Sequence, residues 1–311
     1  MKIVVTGALG HIGSRLIRVL PEVLPDLELV LIDDLSAQRY ASLFDLPASA
    51  RYRFVEGDVT AMDLKPLLAD AWAVVHLAAI TDATGSFDNR EAVERNNFGA
   101  TQRVAEACAE AGARLVHLSS TSVYGSQAAK VDETCAENEL RPQSPYAETK
   151  LREERLVLDM AQRGLWAVSC RFGTIFGTST GMRFHTAVNK FCWQAVMGLP
   201  LTVWRTAYEQ RRPYLDLQDA VRAVAHFLRQ DLFDGRIYNV VTQNATVREV
   251  VDHIRAHVPD LKVEFVDTRI MNQLSFDVEN ARMTAAGFRF EGDLGRGIAE
   301  TVALLRQANA R

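Results

Sequence analysis

The sequence predicts an α/β fold: a doubly wound parallel sheet with helices on both faces, followed by a smaller α/β C-terminal substrate lobe. Three observations predict it. The apolar run Ile3 to Val5 leads through Thr6 into glycines at 7, 10 and 13 and then a helical pattern. A second apolar run, Leu29 to Ile32, ends in Asp33, 20 residues past Gly13. Strand-like and helix-like stretches then keep alternating to about residue 177, as βα units do.

Ile3, Val4 and Val5 are apolar and β-branched, which suits a buried strand. Ile12, Leu16, Ile17 and Leu20 recur at helical spacing, and Pro21 reads as the end of that helix. A strand, glycine turn and helix in this order are what a dinucleotide pyrophosphate needs. Glycines let backbone N–H groups come close, and the helix N-terminus adds partial positive charge. Asp33 stands where a carboxylate meets the adenosine ribose hydroxyls, and it repels a 2′-phosphate, so NAD is favoured over NADP. A ligand-free glycine turn is the plainer alternative, and the flanking strand, helix and acid argue against it.

Arg51 to Val55 reads as a strand running into Glu56-Gly57-Asp58-Val59-Thr60. Asp58 suits two roles equally: accepting from an adenine amino group, or capping a helix over 61–69. Ala73 to His76 is the next strand, with His76 a packed core imidazole. Leu77, Ala78 and Ala79 are small enough for the backbone to approach a flat ring. Residues 89–112 read as one long helix with Val93, Phe98, Thr101, Val104 and Ala105 in its apolar stripe. Asn97 within it is either an ordinary polar-face residue or a group reaching back to the cofactor. Leu115 to Leu118 forms a fifth strand ending in Ser119-Ser120-Thr121-Ser122, at the rim where such sheets bind ligands. A polar loop over 126–144 follows.

Ser144-Pro145-Tyr146 then opens a helix to about Arg163. Tyr146 and Lys150 are four apart and share a helix face. A phenol is a poor base near neutral pH until a cation favours its ionised form, and the lysine supplies one. Ser120 is placed to bridge the phenol and a substrate hydroxyl. Such a Tyr–Lys pair arises often by chance, but behind a dinucleotide loop and a serine-ended strand it points to catalysis. Ala167 to Arg171 is the sixth strand. Beyond 178 the elements shorten: helices at 183–197, 218–230, 247–257 and 294–307, and strands at 201–204, 212–216, 236–240 and 262–266. The expected organisation is an NAD-binding domain over 1–177, also taking in parts of 212–245, interleaved with a substrate lobe over 178–311.

At 311 residues the chain can build a large core, and 48% hydrophobic with 24% charged residues is ordinary for a globular enzyme. A net charge of −4 argues against nucleic acid as the main partner. Cys108, Cys135, Cys170 and Cys192 show no CxxC spacing and read as reduced thiols. No metal constellation is expected. The first strand begins at Lys2, and no apolar run approaches the roughly 20 residues of a membrane span, so a cytoplasmic protein is expected.

Together these residues resemble the extended short-chain dehydrogenase/reductases, in their NAD-dependent sugar epimerase/dehydratase branch, over nearly the whole chain. The motifs are Thr6-Gly7-x-x-Gly10-x-x-Gly13, Asp33, Gly57-Asp58-Val59, His76 to Ala79, Asn97-x-x-Ala100-Thr101, Ser119-Ser120, Tyr146-x-x-x-Lys150, Arg171 and Arg212 to Asp219. The resemblance implies tightly held NAD, a Ser120–Tyr146–Lys150 catalytic set, and a homodimer through the helices at 89–112 and 145–163. It implies cofactor contacts from Gly7, Gly10, His11, Ile12, Gly13, Asp33, Asp34, Ser36, Asp58, Val59, Leu77, Ala78, Ala79, Asn97, Ser119, Tyr146, Lys150 and Phe172. Substrate contacts are implied from Thr81, Ser122, Thr174, Arg183 and Arg212.

Relatives that are 4,6-dehydratases carry Asp-Glu after the first hydroxyl residue, and decarboxylating relatives carry Glu in the position of Ser122. Here Thr121 and Ser122 stand there, which looks like the 4-epimerases, since elimination needs an added acid. The resemblance thus implies that Tyr146 removes the C4 hydroxyl proton of a nucleotide-linked sugar while hydride passes to NAD. The 4-keto sugar turns over, and hydride returns to its other face. The chain departs from many nucleotide-sugar relatives at Thr174, Thr178, Trp204 to Gln210 and Asp216, which leaves the sugar and nucleotide open. Two alternatives stay open: an NAD-dependent sugar dehydrogenase or 4-ketosugar reductase with net redox change, and a non-enzymatic redox sensor or scaffold.

Overall fold

In chain order the elements are β1 (Lys2–Thr6), α1 (His11–Val23), β2 (Leu27–Asp33), β3 (Ala50–Glu56), α2 (Lys65–Leu68), β4 (Ala73–His76), α3 (Arg90–Val93), α4 (Gly99–Ala111) and β5 (Arg114–Ser120). They continue with β6 (Lys130–Val131), α5 (Pro145–Gln162), β7 (Ala167–Phe172), β8 (Thr174–Phe176), α6 (Ala187–Val196), β9 (Leu201–Trp204), β10 (Arg211–Asp216) and α7 (Leu217–Arg229). The last are β11 (Ile237–Val240), β12 (Gln243–Thr246), α8 (Val247–His257), β13 (Val263–Val266), β14 (Asp277–Val278), α9 (Ala281–Ala285) and α10 (Leu294–Gln307). The structure is a computed structural model that describes residues 1–83, 85–125, 129–267 and 275–308. Residues 126–128 of the expected polar loop lie outside the described residues.

Seven strands form one parallel sheet in the order β11-β7-β5-β4-β1-β2-β3. The apolar residues of β1, β2 and β4 are almost wholly buried, as a sheet covered on both faces requires. On one face the core joins α1 to α7, through residues such as Leu16, Leu20, Val221 and Phe227. On the other, Ala100, Val104 and Cys108 of α4 pack with Val157 of α5. The strand order reverses direction at β1 and β4, so their carboxyl ends splay into a crevice, where ligands bind in such sheets. This is the Rossmann-type sheet the sequence predicts.

The second core gathers α6, α8 and α10 around Phe176, Phe191 and Ile254. β8 follows β7 almost directly and pairs with β10, which pairs with β12. The chain returns to the main sheet for α7 and β11 before re-entering this lobe.

Three expectations about elements are corrected. Pro21 lies inside α1, which continues to Val23. A proline deprives the carbonyl four residues back of its partner; here that carbonyl, Ile17 O, accepts from the Tyr52 hydroxyl at 3.2 Å instead. The helix expected over 61–69 is the single turn α2. Asp58 caps no helix: its carboxylate takes the Thr60 N–H and hydroxyl, each at 2.8 Å, in a local Asx turn. The helix expected over 89–112 is continuous but not uniform, since a π-helical turn over Glu94–Phe98 joins α3 to α4.

Arg171 is buried on β7, and α5 meets it with buried Glu154. Nε and Nη2 donate to the two carboxylate oxygens at 2.9 and 2.6 Å, and the guanidinium lies 4.6 Å from the Tyr124 ring centroid. Cutting one partner leaves a charge stranded in the core. Glu154→Leu alone is expected to cost about 3–5 kcal/mol in urea unfolding, whereas Glu154→Leu with Arg171→Met should recover most of that loss.

Candidate active site

At the carboxyl end of β1 the chain turns through Gly7 at φ +65°, a conformation that favours glycine. A Cβ here would sit 2.7 Å from the Ala78 nitrogen, and one at Gly13 would sit 2.4 Å from Gly7 O. Thr6 Oγ1 accepts the N–H groups of Leu77 and Ala78 at 3.2 and 3.3 Å. Its own proton therefore goes to His76 Nδ1, 2.7 Å away. Burial, then Lys150 and His117, hold this histidine down to about 3, so it is a neutral core imidazole as expected.

Above the turn runs a groove of about 440 Å³. Gly7, Gly10, His11, Ile12, Gly13, Asp33, Asp34, Ser36, Asp58, Val59, Leu77, Ala78, Ala79 and Thr81 all line it. Asp33 accepts Leu9 N–H on one oxygen at 3.0 Å and Leu35 N–H on the other at 3.1 Å. Burial pushes its carboxyl up, against the pull of those bonds and of Arg39. Each oxygen keeps a lone pair for a ribose hydroxyl. Asp34 is tied to the Ser36 hydroxyl at 2.7 Å. Of the other expected cofactor contacts, Ser119, Tyr146, Lys150 and Phe172 line an adjoining pocket, and Asn97 lines neither. Its amide is engaged at both ends by Ile80, accepting N–H at 2.7 Å and donating to the carbonyl at 2.8 Å. Asn96 lines the groove instead, and Asn97 serves the cofactor wall by fixing the loop after β4.

Sequence reasoning missed the segment that packs on the glycine turn. Ser179, 168 residues from His11, donates its hydroxyl to His11 O at 2.9 Å, so it accepts from His11 Nδ1, also at 2.9 Å. Burial, then Arg183 and Arg39, keep His11 neutral, down to about 3. Gly181 donates its N–H to Ser14 Oγ at 3.0 Å, and a Cβ on it would lie 2.4 Å from Leu9 O and Gly10 O. Its glycine is readable in the sequence, but its contact across the fold is not. Arg39 also lines the groove and likewise escaped notice, because no motif marks it.

A second pocket, about 280 Å³, adjoins the groove through Ile12, Leu77, Ala79, Thr81 and Arg183, which line both. It brings together Ser119, Ser120, Ser122, Tyr146, Lys150, Phe172, Thr174, Arg183 and Arg212 from five separate stretches of chain. Ser144 caps α5, accepting Ala147 N–H at 3.2 Å, and Tyr146 N–H donates to Ser86 Oγ at 3.3 Å, which seats the first turn. Lys150 Nζ donates to Leu118 O at 3.0 Å from one turn further along. Ser120 Oγ accepts from Ser122 N and Ser122 Oγ at 3.2 and 2.9 Å, keeping its own proton to donate. Thr121, which also lines the pocket, donates its hydroxyl to Phe172 O at 3.2 Å. The buried hydroxyl of Ser119 and the buried Nε of Arg183 have no hydrogen-bond partner among the described residues. Arg183 Nη1 donates to Thr81 Oγ1, and Arg212 Nη2 donates to Gln210 Oε1 at 2.9 Å. Asp82 and His185, which sequence reasoning did not select, also line it, and Asp82 is its one carboxylate among the described residues.

The chain matches the sequence model of the NAD dependent epimerase/dehydratase family over residues 3–240, and it belongs to that family. The family's cofactor is NAD, and the glycine cradle, helix N-terminus, Asp33 and orphaned Ser119 hydroxyl fit it. A UDP-glucose 4-epimerase from Mycolicibacterium smegmatis is 31% identical, over 98% of this chain and 99% of that one. The trifunctional UDP-glucose 4,6-dehydratase/UDP-4-keto-6-deoxy-D-glucose 3,5-epimerase/UDP-4-keto-L-rhamnose-reductase RHM2 of Arabidopsis thaliana is 27% identical over 96% of this chain. The chain spans 46% of that longer relative's length. Among solved structures, MoeE5 in complex with UDP-glucuronic acid and NAD superposes with a TM-score of 0.85 at 28% identity, covering 99% of this chain and 100% of that one. Among the described residues no helix is long and apolar enough to cross a membrane.

Asp33→Ala should weaken NAD about tenfold or more, the effect of losing hydrogen bonds to a charged group, and should narrow the preference over NADP. Titration calorimetry with both dinucleotides measures it, and tighter NADP binding by the unaltered protein would contradict this assignment.

Proposed function

We propose that the protein epimerises a nucleotide-linked sugar at C4 through a transient 4-keto intermediate. The observation that carries this reading is the make-up of the second pocket. Ser120, Tyr146 and Lys150 meet beside the dinucleotide groove, with hydroxyls at 121 and 122 where dehydrating and decarboxylating relatives carry acids. Arg183 and Arg212 outnumber Asp82, the one carboxylate among the described residues of this pocket, which suits an anionic substrate such as a sugar diphosphate. The UDP-glucose 4-epimerase relative supports the same choice.

A bound nicotinamide supplies the ability to take a hydride from a carbon and give it back. The side chains do the rest. Lys150, held by Leu118 O, places a positive charge one helical turn from Tyr146. Tyr146 takes the proton of the C4 hydroxyl as the hydride leaves C4, and Ser120 donates a hydrogen bond to the forming carbonyl oxygen. Arg212 and Arg183 grip the diphosphate end, so the sugar can rotate while its anchor stays put. When the opposite face is presented, the hydride returns to C4, Tyr146 returns the same proton to the oxygen, and the inverted alcohol forms. No net proton or electron is consumed.

Purified protein incubated with UDP-, GDP-, dTDP-, CDP- and ADP-linked sugars should interconvert one C4 pair, followed by NMR, with no net change in NADH absorbance. Stoichiometric NADH formation would mark a dehydrogenase instead. Tyr146→Phe should retain NAD and lose about 10²–10⁴-fold in turnover, the usual worth of a positioned acid–base group.

A further inference from the structure

Behind the second pocket, inside the protein, lies a polar network that the steps above do not use. Glu153 on α5 is fully buried. Its Oε2 accepts from Lys150 Nζ at 2.9 Å, from Thr101 Oγ1 of α4 at 2.9 Å, and from His117 Nε2 of β5 at 3.2 Å. A donating Nε2–H leaves His117 Nδ1 to accept the hydroxyl of Ser169 on β7, 2.8 Å away. The other carboxylate oxygen, Oε1, is buried with no partner among the described residues. Three secondary-structure elements thus converge on a single oxygen of one side chain, and that oxygen also holds the lysine that lines the pocket.

We propose that Glu153 is a positioning residue: its carboxylate fixes the Lys150 ammonium beneath the pocket and keeps it charged at alkaline pH. The proposal rests on the reading that Tyr146 and Lys150 carry the proton transfer. An ammonium has three N–H groups. Leu118 O and Glu153 Oε2 take two of them, which leaves the third for the pocket side. An ammonium this deeply buried would shed its proton if it were unpaired. Burial does pull Lys150 down, but Glu153, then Tyr146, outweigh it and leave the lysine above its ordinary value. In return, burial pushes Glu153 up, while Lys150 and His117 hold it down to about 2. The other titratable groups facing the pair are His117 on β5, Tyr146 on α5 and His76 on β4, the last kept neutral. Glu153 is therefore the one carboxylate in contact with Lys150 among the described residues.

The sign follows directly. Glu153→Gln preserves shape and removes the charge, so burial prevails and Lys150 loses its proton at lower pH. The test is the pH dependence of Lys150 acylation by acetic anhydride on the protein as purified, read by peptide mass spectrometry. The midpoint should fall by about 1–3 pH units in Glu153→Gln, and the alkaline limb of the turnover profile should move with it. Thr101→Val, which deletes one hydrogen bond to the same oxygen but keeps the charge, should leave the midpoint in place. An unmoved midpoint in Glu153→Gln, or an equal fall in Thr101→Val, would overturn the proposal. If Glu153→Gln does not fold, adding Lys150→Met should restore the melting transition because no unpaired charge remains; failure to restore it would also overturn the proposal. The labelling and melting readouts need no substrate. A Tyr146→Phe variant with undiminished turnover would sink the catalytic reading while leaving the labelling result standing on its own.

Discussion

Everything in the site is built outward from one contact, where the end of β1 meets the end of β4. The Thr6 hydroxyl accepts two backbone N–H groups, from Leu77 and Ala78, and donates a hydrogen bond to His76, so four polar groups are satisfied at one buried point. Gly7 then comes so close to the same backbone that no side chain fits between them. Strand pairing sets the register, with Thr6 opposite His76, and the hydroxyl locks it. With that corner fixed, α1 must start over the crevice, and both the dinucleotide groove and the neighbouring pocket open from it.

α5 applies a second constraint, this one electrostatic. Two consecutive acids on it, Glu153 and Glu154, are both buried, yet they answer different cations. Glu154 pairs with Arg171 on β7, and Glu153 pairs with Lys150 on its own helix. Neighbouring helical positions point about 100° apart, so one helix serves the sheet and the pocket with adjacent residues. Buried pairs of this kind are weak sources of stability but leave little freedom in how the helix docks. The phenol and ammonium of the site inherit their placement from that docking.

Much of this was legible in the sequence where chemistry is local. The glycine turn, Asp33, the serine-ended strand and the Tyr146–Lys150 spacing each sit within a few residues, and their elements appear where periodicity puts them. Helices α8 and α10 match the expected limits to the residue. What could not be read depends on partners distant in the chain. Pro21 signals a helix end until Tyr52 supplies the missing donor from another strand. Ser179 and Gly181 look like loop residues until they press on the glycine turn. Asn97 sits in a polar stripe, and only the fold shows that its amide is consumed by Ile80. Glu153 reads as one charge in an acidic–basic run, Arg152-Glu153-Glu154-Arg155, and nothing in that run says which two of the four lie in the core.

The π-helical turn over Glu94–Phe98 carries an evolutionary reading. A wide turn of this kind holds one residue more than a regular helix does, and it sits where Asn97 must face Ile80. Removing a single residue from the turn would let the hydrogen-bond ladder close normally. Everything on one side would then swing by about 100° relative to the other. The amide would leave its loop, or Thr101 would leave Glu153, and the two cannot be kept together without that extra residue. Insertions and deletions should therefore be tolerated before Arg90 or after Ala111 and rejected between them.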